Sequence, residues 1–349
     1  MDRDLIMKYL SQPNNRQQIY KQYFDLQQQN EPALLEGFLT LYSKEELKDL
    51  KMSFPGTKKD VLSPGFFTDE NIFTSDQNIA LLKHDNYTPY FTHSHAIFEL
   101  CYVLKGHCEQ HISGEEFTMT EGDFLFIALG TQHAIGVFDE ESIVINLLIK
   151  QSTFDTIYMN ILRNKSVLST FFVNNLYEDQ RTDYILFRTY DDPEIRNMIL
   201  DMYIEQFEQD IYSDNVLTCM MSILFNRLMR KYAKTAQLPA AQEEHAYESI
   251  EIINYLEDHI RTATLSDMAS HLNYSPAYCS RLIKKATGST FVELLREIRL
   301  RQAENLLVST PISVEKLAYE VGYESSESFI RVFKKNRGVT PARYRESHC

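Results

Sequence analysis

Two histidines and a glutamate recur at alternate positions along one stretch of this chain. His93, His95 and Glu99 share the odd positions of the segment 92–105, whose even positions are mostly apolar. Alternate side chains of a β-strand point to the same face, so two imidazoles and a carboxylate are predicted to converge on one side of a sheet. A further histidine, His133, follows in a later predicted strand. Polar groups that converge inside an apolar shell are the usual lining of a small-molecule site.

A short basic motif occurs twice near the carboxyl end, with an offset of 49 residues at its front and 50 at its back. The two fronts are Ala269-x-x-Leu272-x-Tyr274 and Ala318-x-x-Val321-Gly322-Tyr323, and the two backs are Arg281-Leu282-Ile283-Lys284-Lys285 and Arg331-Val332-Phe333-Lys334-Lys335. Each copy predicts a short helix, a tight turn and a second helix, an arrangement that places the second helix in the DNA major groove. The sequence therefore predicts two DNA-reading helices in one chain.

In each predicted reading helix, the buried apolar positions leave one face free for DNA. The arginines of the two helices suit guanine, and Glu327 suits cytosine. The lysines that follow suit phosphates. The residues predicted to face DNA are Ser275, Ala277, Tyr278, Ser280, Arg281, Lys284 and Lys285 in the first copy, and Ser325, Ser326, Glu327, Ser328, Arg331, Lys334, Lys335 and Arg337 in the second.

The segment 291–307 between the two copies has no proline or glycine and shows helical periodicity. A helix of about 17 residues is about 25 Å long. With its flanking helices it can hold the two reading helices about one DNA turn apart, ~34 Å. One chain is thus predicted to span two adjacent major grooves.

These C-terminal segments resemble the AraC/XylS family of bacterial transcription regulators. The resemblance covers about 250–345 and rests on both copies, on Arg299-Leu300-x-x-Ala303-x-x-Leu306-Leu307 and on Gly338-Val339-Thr340-Pro341-x-x-Tyr344-Arg345. It implies an all-α domain of two helix-turn-helix units that binds double-stranded DNA.

The polar segment is similar to a cupin barrel. His93-x-His95-x3-Glu99-x6-Gly106 fits the first cupin motif, and Gly122-x5-Ala128-x-Gly130-x2-His133 fits the second. In metal-holding cupins the positions matched by His93, His95, Glu99 and His133 are the ligands, a set that suits a divalent first-row metal such as Mn, Fe, Ni or Zn. Three interpretations stay open: an effector pocket lined by these four residues and Cys101, a metal site, and a structural hydrogen-bond cluster.

The predicted fold class is a cupin-like antiparallel β-barrel with flanking helices, followed by an all-α domain of two helix-turn-helix units. One helical stripe, Val216, Met220, Ile223, Leu224 and Leu228, is predicted to be either core or a dimer seam. The predicted domains are a helical N-terminal extension at 1–75, a cupin-like sensor barrel at 76–150, a helical dimerisation region at 151–232, a linker at 233–248 and the DNA-binding domain at 249–349.

Net charge is unevenly divided along the chain. Residues 250–349 hold 14 basic and 12 acidic side chains, whereas residues 1–249 hold 21 and 37. Such asymmetry indicates a charged interaction module joined to a different domain. The start lacks a signal-peptide pattern, no apolar run reaches membrane-spanning length, and the five cysteines form no Cys-x-x-Cys pair. A reduced, cytoplasmic protein is therefore expected.

Together these features predict a non-enzymatic, sequence-specific transcription regulator that acts as a homodimer and responds to a small-molecule effector. The resemblance suggests a carbohydrate effector and, for an activator, contact with RNA polymerase. The alternative is a metallo-cupin oxygenase or isomerase fused to a DNA-binding domain. The His/Glu pattern supports that alternative, but no catalytic base accompanies it.

Overall fold

A computed structural model of the chain describes residues 2–60, 65–67, 73, 77–151, 153–154, 171, 183–237, 239, 246–287 and 289–348. The chain divides into two compact units, residues 1–153 with 183–239, and residues 154–182 with 240–349. Most of 152–182 and the centre of the predicted linker, 240–245, lie outside the described residues. Within the described part, no helix combines the length and apolarity needed to cross a bilayer.

The first unit is built from two β-sheets and six helices of the described residues. The helices are α1 Arg3–Leu10, α2 Asn15–Gln28, α3 Pro32–Thr40, α4 Lys44–Asp49, α5 Pro193–Glu208 and α6 Ser213–Tyr232. The strands are β1 Gly65–Phe67, β2 Ile79–Lys83, β3 His93–His95, β4 Phe98–Lys105, β5 His107–Ile112, β6 Glu115–Thr120, β7 Asp123–Ile127, β8 His133–Gly136, β9 Ile143–Ile149 and β10 Tyr184–Arg188.

The strands form two five-stranded sheets, β1-β3-β8-β5-β6 and β10-β7-β4-β9-β2. Every described pairing is antiparallel except that of β1 with β3. Side chains from both sheets share one buried core, in which Cys101 and Leu125 of the second sheet meet Cys108 and Met119 of the first. The predicted cupin-like fold class is confirmed.

Turn glycines and alternating burial explain why this segment forms strands. Gly106, between β4 and β5, has a φ of 76°, a conformation that glycine adopts at least cost. Along β5, Cys108, Gln110 and Ile112 are buried, and the residues between them are more exposed. This period-2 pattern is that of a strand with one face in a core.

Two strands lie in ranges that the sequence analysis predicted to be helical. β10 falls within 151–232 and pairs antiparallel with β7, and β1 falls within 1–75 and pairs with β3. These strands form because they pair with strands that are distant in sequence. The short run Tyr184–Arg188 gains an edge position on an existing sheet, where its inward side chains join the common core.

Helices α5 and α6 cover the outer face of the second sheet. Phe225 of α6 packs against Phe126 with ring centroids 5.7 Å apart. The predicted stripe on α6 divides between two faces. Leu224 and Leu228 are buried, whereas Val216 is 37% exposed and Ile223 is 47% exposed. The first pair is therefore core, and the second pair stays available as a seam.

The second unit is helical throughout its described residues. Its helices are α7 Ala246–Asp258, α8 Leu265–His271, α9 Pro276–Thr287, α10 Phe291–Ser309, α11 Val314–Glu320, α12 Ser326–Arg337 and α13 Pro341–His348. The helix predicted between the two copies is present as α10, which we call the rod. It is an unbroken helix of 19 residues that begins with a capping box at Thr290 and Glu293. Its buried residues, including Leu300 and Leu307, share a core with α11 and α12.

Candidate functional site

The two helix-turn-helix copies close their turns with the same hydrogen bond. Tyr274 N donates to Ala269 O at 2.9 Å in the first copy, and Tyr323 N donates to Ala318 O at 2.9 Å in the second. In both copies the residue before the tyrosine has a left-handed backbone, with φ of 60° and 87°. The sequence repeat is therefore a repeat of geometry.

Each reading helix begins at a serine cap. The Ser275 hydroxyl accepts a hydrogen bond from Tyr278 N at 3.2 Å, and the Ser325 hydroxyl accepts one from Ser328 N at 3.2 Å. Such caps satisfy a backbone N–H that the first helical turn leaves without a partner. Both helices then bury one apolar stripe against their own unit. The fully buried residues of the stripes are Cys279, Ile283, Phe329 and Phe333.

The opposite faces of the reading helices point to solvent. Arg281 of α9 and Arg331 of α12 are exposed, and within the described residues neither forms an ion pair. The Lys285 side chain lies outside the described part, and Ser326 and Ser328 are half-buried. The other exposed members of the predicted set are Ser275, Ala277, Tyr278, Ser280, Lys284, Ser325, Glu327, Lys334 and Lys335.

Arg337 is placed differently from the sequence prediction, which had it facing DNA. Its side chain is 21% exposed, and its guanidinium lies 2.8 Å from a Glu297 carboxylate oxygen of α10 and also contacts Glu304. Burial alone would raise the pKa of Glu297, but the hydrogen bond from Arg337 and the charges of Arg337 and Arg301 together lower that pKa below its ordinary value. Arg337 thus fixes α12 to the rod, and we leave it out of the proposed DNA contacts.

We expect Arg337→Met to destabilise the second unit by about 1–3 kcal/mol, because it leaves two half-buried carboxylates without their counter-ion. Hydrogen exchange of amides in α10 and α12 measures the change locally. The matched control is Arg343→Met, which removes an exposed arginine and should change exchange little. Equal protection in the two variants would contradict the assignment of Arg337 to the rod.

In the barrel, three histidines are held by the same backbone contact. His93 Nδ1 lies 2.9 Å from Phe91 O, His95 Nδ1 lies 2.9 Å from Ile97 O, and His133 Nδ1 lies 3.0 Å from Thr131 O. A carbonyl oxygen only accepts, so each Nδ1 carries the proton and donates. In a neutral ring, Nε2 is then left with its lone pair.

The Nε2 atoms of two of these rings converge on one carboxylate oxygen. Glu99 Oε2 lies 2.6 Å from His95 Nε2 and 3.1 Å from His133 Nε2. Neutral imidazole Nε2 and an ionised carboxylate are both acceptors, so the contact requires a proton or a cation between them. The cluster is therefore built to hold positive charge at its centre.

The pKa shifts within the cluster indicate which groups are protonated when no cation is bound. Burial lowers the pKa of His95, but the hydrogen bond with Glu99, the charge of Glu99 and the backbone hydrogen bond to Ile97 together raise that pKa above the ordinary value. Burial would raise the pKa of Glu99, yet the hydrogen bonds from His133 and His95 hold it well below its ordinary value. Burial and the neighbouring His133 lower the pKa of His93 to about 4. These directions favour a buried pair of the His95 imidazolium and the Glu99 carboxylate.

The same four side chains fit a divalent cation. One ligand atom from each of His93, His95, Glu99 and His133 lies within 4.8 Å of the others. The backbone carbonyls that bind each Nδ1–H orient the rings as outer partners do in metal sites. The fold thus brings together all four residues that the sequence pattern predicted as ligands.

Three polar side chains beside this cluster were not predicted from the sequence. Gln110 is 1% exposed and its Nε2 donates to Cys101 Sγ at 3.4 Å, which places both residues inside the barrel. Asn146 is the register partner of Cys101 on β9, and His84 N donates to Val144 O at 2.9 Å. Alternation along β5, the pattern used for His93 and His95, could have identified Gln110.

Two family models match the chain. A helix-turn-helix domain model, HTH_18, matches residues 268–347, and a cupin domain model, Cupin_2, matches residues 79–149. The AraC/XylS resemblance and the cupin resemblance are both confirmed.

Three curated relatives are named as transcription regulators or activators, and none of the three as an enzyme. The HTH-type regulator YisR of Bacillus subtilis is 33% identical over 147 residues, 41% of this chain and 50% of YisR. The raffinose operon regulatory protein RafR of Pediococcus pentosaceus is 29% identical over 138 residues, 39% of this chain and 49% of RafR. The HTH-type activator RhaR of Mannheimia succiniciproducens is 24% identical over 280 residues, 78% of this chain and 94% of RhaR.

The chain spans about half the length of YisR and RafR and nearly all of RhaR. The duplicated turn and the inward His/Glu cluster lie inside the two matched domains. The chain thus carries a cupin domain ahead of a helix-turn-helix domain, the two domains that the resemblance to AraC/XylS regulators predicted.

Proposed function

We propose that this protein is a sequence-specific DNA-binding transcription regulator, without enzymatic activity, that responds to a small molecule bound in its barrel. The observation that carries the proposal is the duplicated reading helix, with equal turn geometry and an exposed arginine in each copy. Two such helices in one chain fit two adjacent major grooves of one duplex.

The proposed DNA contacts divide into base readout and backbone binding. Arg281 and Arg331 are placed to bind guanine, and Glu327 to accept from cytosine. Lys334 and Lys335, one turn further along α12, bind phosphates. Ser275 and Ser325 use their hydroxyls as helix caps, so they contribute to DNA binding through the helix start that they stabilise.

Selection of bound duplexes from a random library by the full-length protein tests this function. We expect enriched sites with two conserved blocks whose centres lie about 10 base pairs apart, the spacing of one helical turn. Enrichment of a single block would contradict the paired reading. If the bound duplexes showed no enriched sequence relative to the starting library, sequence-specific binding would be contradicted.

The effector site is proposed to be the barrel interior, lined by His93, His95, Glu99, Cys101 and His133. The side chains form a compact polar group within an apolar core, which is the usual composition of a ligand site. The relative RafR is named for the raffinose operon, which supports the proposal of a carbohydrate effector here.

A homodimer is proposed through the outer face of α6. Val216 and Ile223 are exposed, whereas Leu224 and Leu228 of the same helix are buried. Sedimentation of the full chain, compared with an Ile223→Glu variant, tests this seam. As RhaR is named an activator, contact with RNA polymerase is part of the same proposal.

We propose a bound divalent cation as the second candidate, favoured by one specific observation: each of three histidines donates from Nδ1 to a backbone carbonyl, and two of their Nε2 atoms contact Glu99. His93, His95, Glu99 and His133 would hold a first-row cation, and the cation would supply Lewis-acid binding of an effector oxygen.

We expect untagged protein that holds such a cation to contain about one metal ion per chain by elemental analysis, and His93→Ala to lose most of it. His107→Ala, which removes an exposed histidine of the same barrel, should keep wild-type metal content. A wild-type chain purified without metal would exclude the cation and with it the metallo-cupin enzyme. Bound iron or manganese with turnover of a substrate would instead contradict the non-enzymatic proposal.

A further inference from the structure

The two helix-turn-helix copies differ in the first turn of their reading helices. An offset of 50 residues aligns the capping serines and the arginines of α9 and α12. The same offset aligns Ala277 with Glu327 and Tyr278 with Ser328. The first copy thus has a methyl group and an aromatic ring where the second has a carboxylate and a hydroxyl. Because both turns close with the same hydrogen bond, the two helices offer different chemistry at equivalent positions.

The Tyr278 ring lies at the start of α9 and reaches solvent. It is 38% exposed, and Ala277 beside it is also exposed. The ring of Tyr274, from the turn, packs against it with ring centroids 4.8 Å apart and an interplanar angle of 53°. The main chain of Tyr274 is itself fixed by the hydrogen bond that closes the turn. An aromatic side chain ordered in this way loses little further conformational entropy when a second surface covers it.

The second copy closes the same turn without an outward aromatic pair. Tyr323, the counterpart of Tyr274, packs against the buried Phe329 with ring centroids 5.3 Å apart, and the Arg299 guanidinium lies 5.8 Å from its ring centroid. The second ring of the first copy is replaced by the serine at position 328. The outward pair is therefore not required for the turn, and binding of a partner surface gives it a role.

The polar groups available in α9 restrict the bases that it can read. Residues 276–287 contain no Asn or Gln, the side chains that pair with adenine, and no Asp or Glu, the side chains that accept from cytosine. Arg281 suits guanine. Thymine presents its C5-methyl group in the major groove, so an apolar side chain recognises it. Ala277 and Tyr278 lie in the first turn of α9, the part of a reading helix that meets base edges.

We propose that Tyr278 and Ala277 form a thymine-reading surface, so that α9 recognises thymine methyl groups next to the guanine bound by Arg281. This inference rests on the proposed function, because it takes α9 as a DNA-reading helix. Tyr274 is a positioning residue, whose ring supports the Tyr278 ring from the turn. The second helix, with Glu327 at the corresponding position, reads guanine and cytosine. The block of the selected site that α9 reads should therefore contain thymine.

Replacement of thymine by deoxyuridine tests the contact, because it removes only the C5-methyl group. The probe is the duplex most enriched by the full-length wild-type protein, and the block read by α9 is the one whose selectivity survives Arg331→Ala. We expect one or two such replacements in that block to weaken binding about three- to tenfold, the range for one or two buried methyl groups. The same replacement elsewhere in the duplex should change affinity less than about twofold. A block without thymine, or equal affinity for every deoxyuridine duplex, would overturn the proposal.

Variants at position 278 distinguish the aromatic ring from its hydroxyl group. Tyr278→Ala should weaken binding of the thymine duplex about tenfold and bind the deoxyuridine duplex equally well, so the two losses are not additive. Tyr278→Phe keeps the ring and should bind within about twofold of wild type, with the same preference for thymine. If Tyr278→Phe instead lost affinity while deoxyuridine had no effect, the contact would be one between the hydroxyl and a phosphate, and the proposal would be wrong.

Tyr190→Ala is the matched control. It removes a tyrosine of the first unit that is 80% exposed. It should keep both the wild-type affinity and the preference for thymine over deoxyuridine. If this control lost the preference as Tyr278→Ala does, the effect would not belong to the reading helix and the assignment of Tyr278 would be rejected.

Tyr274→Ala tests the supporting ring. It should bring the ratio of affinities for the thymine and deoxyuridine duplexes closer to one, while the block read by α12 is selected as by the wild type. A purely structural role would weaken both duplexes equally and leave the ratio as it is. An unchanged ratio would therefore contradict the positioning role of Tyr274.

Failure here is distinguishable from failure of the proposed function. Selection of two blocks by the wild type, without any effect of deoxyuridine, would reject only the thymine-reading surface. Bound duplexes with no enriched sequence would reject the function itself. Because selection through α12 does not use Tyr278, continued enrichment of its block also shows that a weakened variant is folded.

Discussion

Arg331→Ala is expected to weaken specific DNA binding by about 1–3 kcal/mol, roughly a ten- to hundredfold loss of affinity. Arg331 lies exposed on α12, whose opposite side is anchored by the buried Phe329 and Phe333. A bidentate arginine–guanine contact supplies energy only at its own base pair. The variant should therefore lose discrimination at one position of the selected site while other positions keep theirs. Gel-shift titrations against single-base substitutions of that site measure both effects.

Lys334→Ala distinguishes the contribution of phosphate contacts to DNA affinity from that of base contacts. Removing a phosphate contact should weaken binding about equally on all sequences and reduce the slope of log K against log salt by about 1. Lys48→Ala, which removes an exposed lysine of α4 in the other unit, is the charge-matched control and should bind like wild type. If Arg331→Ala and Lys334→Ala both behaved like Lys48→Ala, α12 would not be the second reading helix.

Local pattern was sufficient to predict the features that depend on neighbouring residues. Strand alternation predicted that His93, His95 and Glu99 share one face of a strand. The structure brings them together with His133, but the two histidines lie on β3 and Glu99 lies on β4, in different sheets. Cap chemistry predicted the start of the first reading helix, which follows the Ser275 cap. The helix cap is decided by energies that act within a few residues of the chain, whereas the cluster also requires the packing of the two sheets.

Features that depend on distant partners were not accessible from the pattern. Arg337 resembled one more basic residue behind a reading helix, yet its partners Glu297 and Glu304 lie 40 and 33 residues away in sequence. β10 is a short run whose partner strand, β7, belongs to a different predicted domain. Gln110 is a polar side chain in an apolar core position. Alternation along β5 places Gln110 on the inward face, but only the contact with Cys101 in the folded chain shows that its amide lies beside the cluster.

Gly322→Ala is expected to destabilise the DNA-binding unit by about 3 kcal/mol, the sum of two costs. Gly322 has a φ of 87°, a conformation that costs an L side chain about 1–3 kcal/mol. A Cβ built there would lie 2.8 Å from Arg261 Cα and 2.9 Å from Ile260 O. Those are backbone atoms, so relief requires the chain after α7 to move, at a further cost of about 1–3 kcal/mol.

The close approach at Gly322 also links the two halves of the unit. Arg299 of the rod donates to Ile260 O at 2.9 Å and to Arg261 O at 3.2 Å, beside the turn that Gly322 forms. A methyl group at this turn therefore displaces the segment that ties α7 to α10. We expect faster amide exchange in α7 and α10, and weaker DNA binding on warming, although no residue proposed to touch DNA has changed.

Gly338→Ala is the matched control for this effect. Gly338 has a similar φ of 78°, but no atom lies within 4 Å of the position that its Cβ would take. It therefore carries the conformational cost without the overlap and should lose about 1 kcal/mol. Gly322→Asn extends the comparison, because Asn273 adopts φ of 60° in the first copy and shows that asparagine tolerates this turn. If overlap dominates, Gly322→Asn is as unstable as Gly322→Ala. If the amide exchange rates of Gly322→Ala equalled those of Gly338→Ala, steric overlap between residue 322 and the chain after α7 would be contradicted.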